Sequence, residues 1–510
     1  MIEETSCMTQ KRDYTYNQQE KKIIRHKVIS NAVKILTQER ENATCVGRDY
    51  VRKLYDSFVD AEEESSNKNE VKSIDKGYII RWENLHDAYT SKKEVKDLTV
   101  CYLCGPEPNN DFQELIELGV LPQNIWAFET DNNTYNQAVS FYAEGIYPQP
   151  RIIKQNIDTY FKMTPKKFDI IYIDACGCVP SMQHALRTIS TLCQYSRLNS
   201  PGVIITNFSS PDIEKEQLSD WVEVIANYMF FKKYPEMDFD IQDGKIVCKK
   251  YGQLKKEIKN NFREYYGNFI SALLRDIPSI IVPIQRISDN PYFKQFVVDN
   301  NLSGIDREWI RLASGKSLAR FFFFCEKALP ELKGTKTELL LSEMGDISAI
   351  INGFKFIVGL QTGVSVMKDD IEDIHKYFEN QTGIYQFLDK PHSNLIFDAI
   401  INQLIYPLHF NPEKNIRYEY KAKTRNMYTD VSVYDECRYI YEWLPAIHQV
   451  KSAFSNVSWQ YIFRFCIDGL IRTRIDFNNE FFYQGSVVQH SNGEFEKSKL
   501  KKRIDIKKDR

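Results

Sequence analysis

Apolar side chains recur at three- and four-residue spacing from Ile23 and Ile24 through Val28, Ile29, Ala32, Val33, Ile35 and Leu36, the period of one helix face. The pattern continues more loosely toward Glu64, which predicts an amphipathic helical segment from about Glu20 to Glu64. Asp60 to Lys76, DAEEESSNKNEVKSIDK, is charge-dense with almost nothing to bury. It reads as a flexible polar loop.

Between Leu98 and Phe208 the pattern changes to short β-rich runs alternating with helical ones. The runs are LTVCYLC ending at Cys104, NIWAF at Phe128, RIIK at Lys154, FDIIYI at Ile173 and GVIIT at Thr206. Between them lie DFQELIEL closed by Gly119, TYNQAVSFYAE closed by Gly145, and SMQHALRTISTLCQYSRL. Gly after a periodic segment is a helix stop, because it takes the left-handed conformation at no steric cost. Near-continuous apolar strands between helices predict an α/β fold with a doubly wound, mainly parallel sheet covered on both faces. Beyond Pro211 a helix is expected from Glu214 to Phe231, and another from Lys255 to Leu274. Asp243-Gly244 between two short alternating runs predicts a hairpin. The expected organisation is a helical segment over 1–95 with a polar loop at 60–76, a Rossmann-like domain over 96–300, a mixed α+β C-terminal domain over 301–496, and a mobile basic tail over 497–510.

Composition narrows the class. The chain has 510 residues, with 67 Lys+Arg against 69 Asp+Glu, so any nucleic-acid surface has to be a local patch rather than a global basic field. Eleven Cys, thinly spread, argue against a disulfide framework and for a reducing, cytoplasmic compartment. The first residues carry no apolar core behind a basic start, and the apolar runs are shorter than the ~18 residues a membrane helix needs. No membrane association is expected, and no metal site either: Cys101 and Cys104 have a CxxC spacing, but on a strand they point to opposite faces and no second ligand pair stands near them.

In an open α/β sheet, ligands bind beyond the carboxyl ends of the strands. Four polar clusters stand at such ends: CGPEPNND, ETD, QNID and DACGC. Glu129 lies 24 residues past Gly105, near the ~20 expected of an acid that holds a ribose diol. Here the region from Leu98 to Pro211 resembles the class I S-adenosylmethionine-dependent methyltransferases. The resemblance implies S-adenosylmethionine as cofactor, with Gly105 and Glu107 in the first-strand loop beneath it, Glu129 on its ribose, and Asn156 and Asp158 near its adenine. It places Asp174 on the fourth-strand loop that faces the methyl group. The loop departs from the family pattern: Tyr102 holds the usual acidic position, and Pro106 and Pro108 replace loop glycines.

Ribose 2′-O enzymes of this family pair the fourth-strand Asp with a Lys at the end of the fifth strand, but Asn207 stands there, so a lysine from elsewhere would have to substitute. Cys176 is a candidate nucleophile as a thiolate, against the commoner reading of a buried structural thiol. Asp174, Cys176 and Asn207 are therefore the candidate catalytic residues. In IRYEYKAKTRNMYTD, Arg417, Lys421, Lys423 and Arg425 alternate with tyrosines, a pattern that suits RNA or DNA, since cations neutralise phosphates and rings stack on bases. The bland reading is a strand with Tyr inward and Lys outward. Two other functions fit less closely. Tyr102 to Pro106 is similar to the first-strand YLxGP of nucleoside deoxyribosyltransferases, where Asp111, Glu129 or Asp174 could serve. A non-catalytic nucleotide-binding interaction protein is the other.

Overall fold

The computed structural model describes residues 19–506 apart from 61–65, 106, 144–150, 183–184, 214–215, 289, 292, 296–306, 315, 363–400, 447–448, 450–455 and 475–500. Its centre is a sheet built from β1 (Val100–Leu103), β2 (Ile125–Phe128), β3 (Arg151–Ile153), β4 (Phe168–Asp174) and β5 (Leu198–Ser209). A small hairpin, β6 (Asp240–Gln242) and β7 (Lys245–Val247), stands apart. The sheet is completed by β8 (His409–Phe410), β9 (Ile416–Ala422), β10 (Arg425–Asp435) and β11 (Ile504–Asp505). Its order is β11-β9-β10-β5-β4-β1-β2-β3, with β8 on β10. Strands β1 to β5 pair in parallel, β10 runs antiparallel to both β5 and β9, and β11 is parallel to β9. A mostly parallel sheet with helices on both faces is a doubly wound α/β arrangement, with its switch point between β1 and β4.

The two faces are covered differently because side chains alternate along each strand. Val100, Tyr102, Ile170, Tyr172, Val203, Ile205, Tyr418 and Tyr420 pack under α1 (Gln19–Leu36). Cys101, Ile171, Ile173, Ile204, Phe208 and Tyr428 join a larger core on the other side. That core takes in α9 (Leu218–Lys233), α10 (Lys249–Asn260), α11 (Phe262–Asp276) and the phenylalanine-rich helix Ser317–Leu332.

Several expectations change. The N-terminal periodicity spans separate pieces, α1 and a helix over Tyr50–Val59 with a short 3₁₀ turn at Arg40–Asn42 between them. The polar stretch 60–76 is not all loop: Ser66–Lys72 is helical, and Val71 and Ile74 are buried against the main core. Two apolar anchors were enough. The Lys255–Leu274 pattern is broken at Asn261, which separates α10 from α11. Asp243 and Gly244 both take positive φ, 46° and 68°, as a tight hairpin turn requires.

The largest correction is topological. The sheet does not close within 96–300, because β10, from the region expected as a separate C-terminal domain, pairs with β5 from Gly202 to Ser209 and carries β9 on its other edge. The end of the chain follows them: Ile504 and Asp505 pair with Tyr418 and Glu419, and Ile506 is 1% exposed. This part of the basic tail is an edge strand held by an apolar plug rather than a free segment. The stretch Phe262–Ser288 is long and apolar enough to cross a membrane, yet 94% of its apolar window is buried inside the protein. That burial marks it as a core helix.

Candidate functional site

The first-strand loop is tied from below. The Tyr102 hydroxyl donates to the Pro108 carbonyl at 3.1 Å in a buried contact, so a phenol anchors the loop that an acid serves in the family pattern. Gly105 sits at φ +59°, and a Cβ built there meets nothing within 4 Å. Space over its backbone is open. Glu107 accepts from Asn110 Nδ2 at 2.9 Å, which steadies the turn into α5 (Asn109–Glu117). At the tip of β2, Glu129 Oε1 accepts the Thr130 and Asp131 N–H groups at 2.7 and 2.9 Å. Its Oε2 takes no hydrogen bond from the described residues, and the carboxylate is close enough to Cys104 for its charge to help raise that thiol to about 12, after burial.

At the end of β4, Asp174 is the hub. Its Oδ2 pairs with Lys21 Nζ at 2.9 Å, and its Oδ1 accepts from Asn207 Nδ2 at 2.9 Å and from the Cys176 thiol at 2.9 Å. Side-chain exposures are only 11% for Lys21 and 12% for Asp174. Burial alone would raise the Asp174 pKa, but the Lys21 charge and these three hydrogen bonds reverse it and hold the carboxyl below its ordinary value. Lys21 moves the other way: burial opposes its charge, and Asp174 outweighs it, so the ammonium is held above its ordinary value. Burial and the Asp174 charge push the Cys176 thiol up to about 12. At neutral pH it is a hydrogen-bond donor rather than a thiolate nucleophile.

Asn207 is fixed on both sides. Its Oδ1 accepts from Thr429 Oγ1 at 2.8 Å, and its Nδ2 also donates to the Tyr420 hydroxyl at 3.1 Å. Cys176 adopts φ 51°, an uncommon left-handed conformation for a side-chain-bearing residue. Backbone bonds from Cys176 N–H to Asn207 O, 3.3 Å, and from Ser209 N–H to Gly177 O, 2.9 Å, hold the loop against β5. A second buried pair stands beside the hub: Arg25 Nε meets Asp111 Oδ1 at 2.8 Å in the first turn of α5. Burial dominates there, and despite Arg25 the Asp111 carboxyl is pushed up to about 6.

The structure thus brings Asp174, Cys176 and Asn207 into mutual contact and puts Gly105 and Glu129 on the neighbouring strand tips. Asn156 and Asp158 stand farther along, after β3. Asn156 Oδ1 caps α7 (Ile157–Met163) by accepting from the Asp158 N–H at 2.7 Å and the Thr159 N–H at 3.4 Å. Sequence reasoning missed Lys21 and Arg25, and it read Tyr420 only as a ring of the candidate nucleic-acid segment, not as a partner of Asn207. The signal was present: Lys21 and Arg25 are four apart on the stripe that continues through Val28, Ile29 and Ala32, so two cations ride a buried helix face.

The proposed polynucleotide segment divides. Arg417 is not on the surface; it is 3% exposed, with Nη2 donating to Asn268 Oδ1 at 2.8 Å and Nε 3.9 Å from Asp430. Tyr418, Tyr420 and Tyr428 are buried, whereas Lys421 and Lys423 are exposed around the β9–β10 turn. Arg425 pairs with Asp212 at 3.0 Å. Elsewhere Cys45, Asp435 and Cys437 offer ligand atoms within 4.8 Å of one another. The Asp435 oxygens already accept from Cys45 N–H at 2.9 Å, Cys437 N–H at 3.0 Å and the Tyr439 hydroxyl at 2.7 Å, which knits the N-terminal loop to the end of β10.

No protein-family model matches the sequence, and a search of curated proteins finds no match. Among solved structures, the chain is similar to a methylase of Haemophilus influenzae at 17% identity, covering 22% of this chain and 65% of that one, with a TM-score of 0.19. It is similar to the magnesium protoporphyrin IX methyltransferase of Synechocystis at 14% identity, over 38% of this chain and 85% of that one, TM-score 0.18. A plantazolicin methyltransferase matches at 12% identity over 61% of this chain and 92% of that one, TM-score 0.21. These likenesses are low, and the fold reading rests on the chain's own strand order.

Proposed function

We propose that the chain is an S-adenosylmethionine-dependent methyltransferase acting on a hydroxyl, with a nucleic-acid ribose as the favoured acceptor. The observation that carries this reading is the Lys21–Asp174–Asn207 constellation on the tips of β4 and β5. The lysine that β5 lacks comes from α1 instead. Two neighbouring residues support the cofactor reading: the space over Gly105 admits a close approach to the backbone, and Glu129 Oε2, which takes no hydrogen bond from the described residues, is the oxygen that would accept from ribose hydroxyls.

Bound there, the cofactor supplies an electrophilic sulfonium methyl. The protein's part is to prepare the acceptor oxygen. Asp174, kept ionised by Lys21, accepts the hydroxyl hydrogen at Oδ1 in the place of the Cys176 thiol. Lys21, firmly protonated, is a poor base but a fixed positive charge beside the oxygen as its proton is drawn away. Asn207, locked between Thr429 and Tyr420, keeps the carboxylate from rotating. With only 11% and 12% of the Lys21 and Asp174 side chains exposed, these interactions act in less water than at an open surface, which strengthens them.

The deoxyribosyltransferase reading needs carboxylates free to reach a sugar carbon, and it has less support here because Asp111 and Asp174 are each engaged by a cation. Calorimetry with S-adenosylmethionine and S-adenosylhomocysteine, followed by methyl-transfer assays on RNA and DNA, tests the proposal. Asp174→Asn should abolish transfer with cofactor affinity kept within about threefold, a difference of less than ~1 kcal/mol. Full activity in that variant removes Asp174 from the mechanism, and failure of the wild type to bind either cofactor form overturns the reading.

A further inference from the structure

A cavity of about 600 Å³ opens where the α10–α11 junction meets β9 and the residues that lead into the edge strand β11. By strand alternation it lies on the opposite face of the sheet from Tyr420 and the Asp174 hub. Its size falls within the ~300–1,000 Å³ of small-molecule sites, enough for a mononucleotide. Five cationic side chains line it, Arg263, Arg417, Lys501, Lys502 and Arg503, against the two carboxylates Glu264 and Glu419. Arg263 spans 3.0 Å to Glu419 and 3.9 Å to Asp505, so part of that charge is already answered at the rim.

The floor is less well balanced. Arg417 and Arg503 share Asp430: Arg503 Nη1 stands 2.5 Å from Oδ1, and Arg417 Nε stands 3.9 Å from Oδ2. Their side chains are 3% and 8% exposed, and the Nε of each is buried without a hydrogen-bond partner among the described residues. Two guanidinium groups against one carboxylate, out of water, leave positive charge that a ligand can answer. Burial, together with repulsion from Arg503 and Arg275, brings Arg417 down to about 9. The start of α11 adds to this. Asn261 supplies no side-chain cap there, and the positive end of a 15-residue helix borders the cavity.

We propose that this cavity binds a phosphate ester, with Arg417 and Arg503 at its floor and Arg263, Lys501 and Lys502 at its rim. Both a free nucleotide and the backbone of a nucleic-acid strand carry that group. The site does not depend on the methyl-transfer reading, although β9 links the two, running from Arg417 on this face to Tyr420 beside Asp174.

The test is calorimetry on the full chain with two probes: adenosine 5′-monophosphate, and a single-stranded RNA of about twelve nucleotides, within the ~4–16 that single-strand sites span. The rim substitutions Lys501→Ala with Lys502→Ala, and separately Arg263→Ala, avoid the buried floor and are checked for an unchanged melting temperature. The structure leads us to expect at least one probe to bind, and each rim variant to weaken it about tenfold, ~1.4 kcal/mol, with cofactor affinity unmoved. Binding of the mononucleotide identifies a free nucleotide as ligand. Binding of RNA alone, with a salt slope that falls by about 0.7 for each contact removed, identifies a strand backbone. If neither probe binds the wild type at millimolar concentration, or if both rim variants bind as tightly as the wild type, the site is refuted.

Discussion

Replacing Lys21 by Met isolates the ion pair on which the candidate site is built. The methionine keeps most of the apolar stem of the side chain but leaves the Asp174 carboxylate, 12% exposed, without its cation. Breaking a buried pair by removing one partner costs ~3–5 kcal/mol, because an uncompensated charge remains. Asn207 Nδ2 and the Cys176 thiol still donate to Asp174, so the lower end of that range, about 3 kcal/mol, is expected. With unfolding entropy near 2.1 cal/mol/K per residue, a chain of 510 residues has ~1 kcal/mol/K, and the melting temperature should fall by roughly 3 °C at pH 7.

The pH dependence carries the sharper information. In the wild type the Asp174 pKa is depressed, so the pair contributes stability above the unfolded value near 3.9, and loses it as pH falls through the folded value. Without Lys21 the burial effect prevails and the folded pKa rises above the unfolded one. The variant should then regain stability relative to wild type as pH falls from 7 toward 4, the reverse of the native pair. Lys21→Met with Asp174→Asn removes both charges and should recover most of the loss at pH 7. Scanning calorimetry at pH 5 and pH 7 on the wild type and both variants reads this out. A single variant as stable as wild type at both pH values, or a double variant no better than the single, would refute the pairing.

Three further outcomes are expected. Glu129→Ala should weaken S-adenosylmethionine binding by about 1.5–3 kcal/mol, the size of a hydrogen bond to a charged group, with little change in melting temperature; equal affinities in calorimetry remove the ribose assignment. Asp111 is raised to about 6, above its unfolded ~3.9, so it withdraws stability as pH climbs from about 4 to 6, and Asp111→Asn should flatten that part of the stability curve in a melting series. Tyr420→Ala should cost about 3 kcal/mol or more as a truncated buried aromatic, while joint replacement of Lys421, Lys423 and Arg425 by Ala should leave stability nearly untouched; if the triple variant also flattens the salt dependence of RNA affinity, those three residues meet phosphates.

The sequence by itself determined the local elements and the chemistry at strand ends. Runs such as FDIIYI are apolar on both faces because a parallel strand is buried on both, and that signal places Asp174 at a strand tip with no knowledge of the fold. Gly119, at φ 99°, and Asp243-Gly244 marked their turns because few residues tolerate positive φ. Tertiary structure decided the rest, since strand neighbours and charge partners depend on chain reversals of hundreds of residues that no local period records. Only the folded chain sets β10 beside β5 across more than 200 residues and makes Ile504 and Asp505 an edge strand rather than a tail. Only there does Lys21 meet Asp174, 153 positions away along the chain. A cation on an apolar helix stripe declares that it needs a partner, because burial without one is too costly. Which carboxylate answers it is settled by packing.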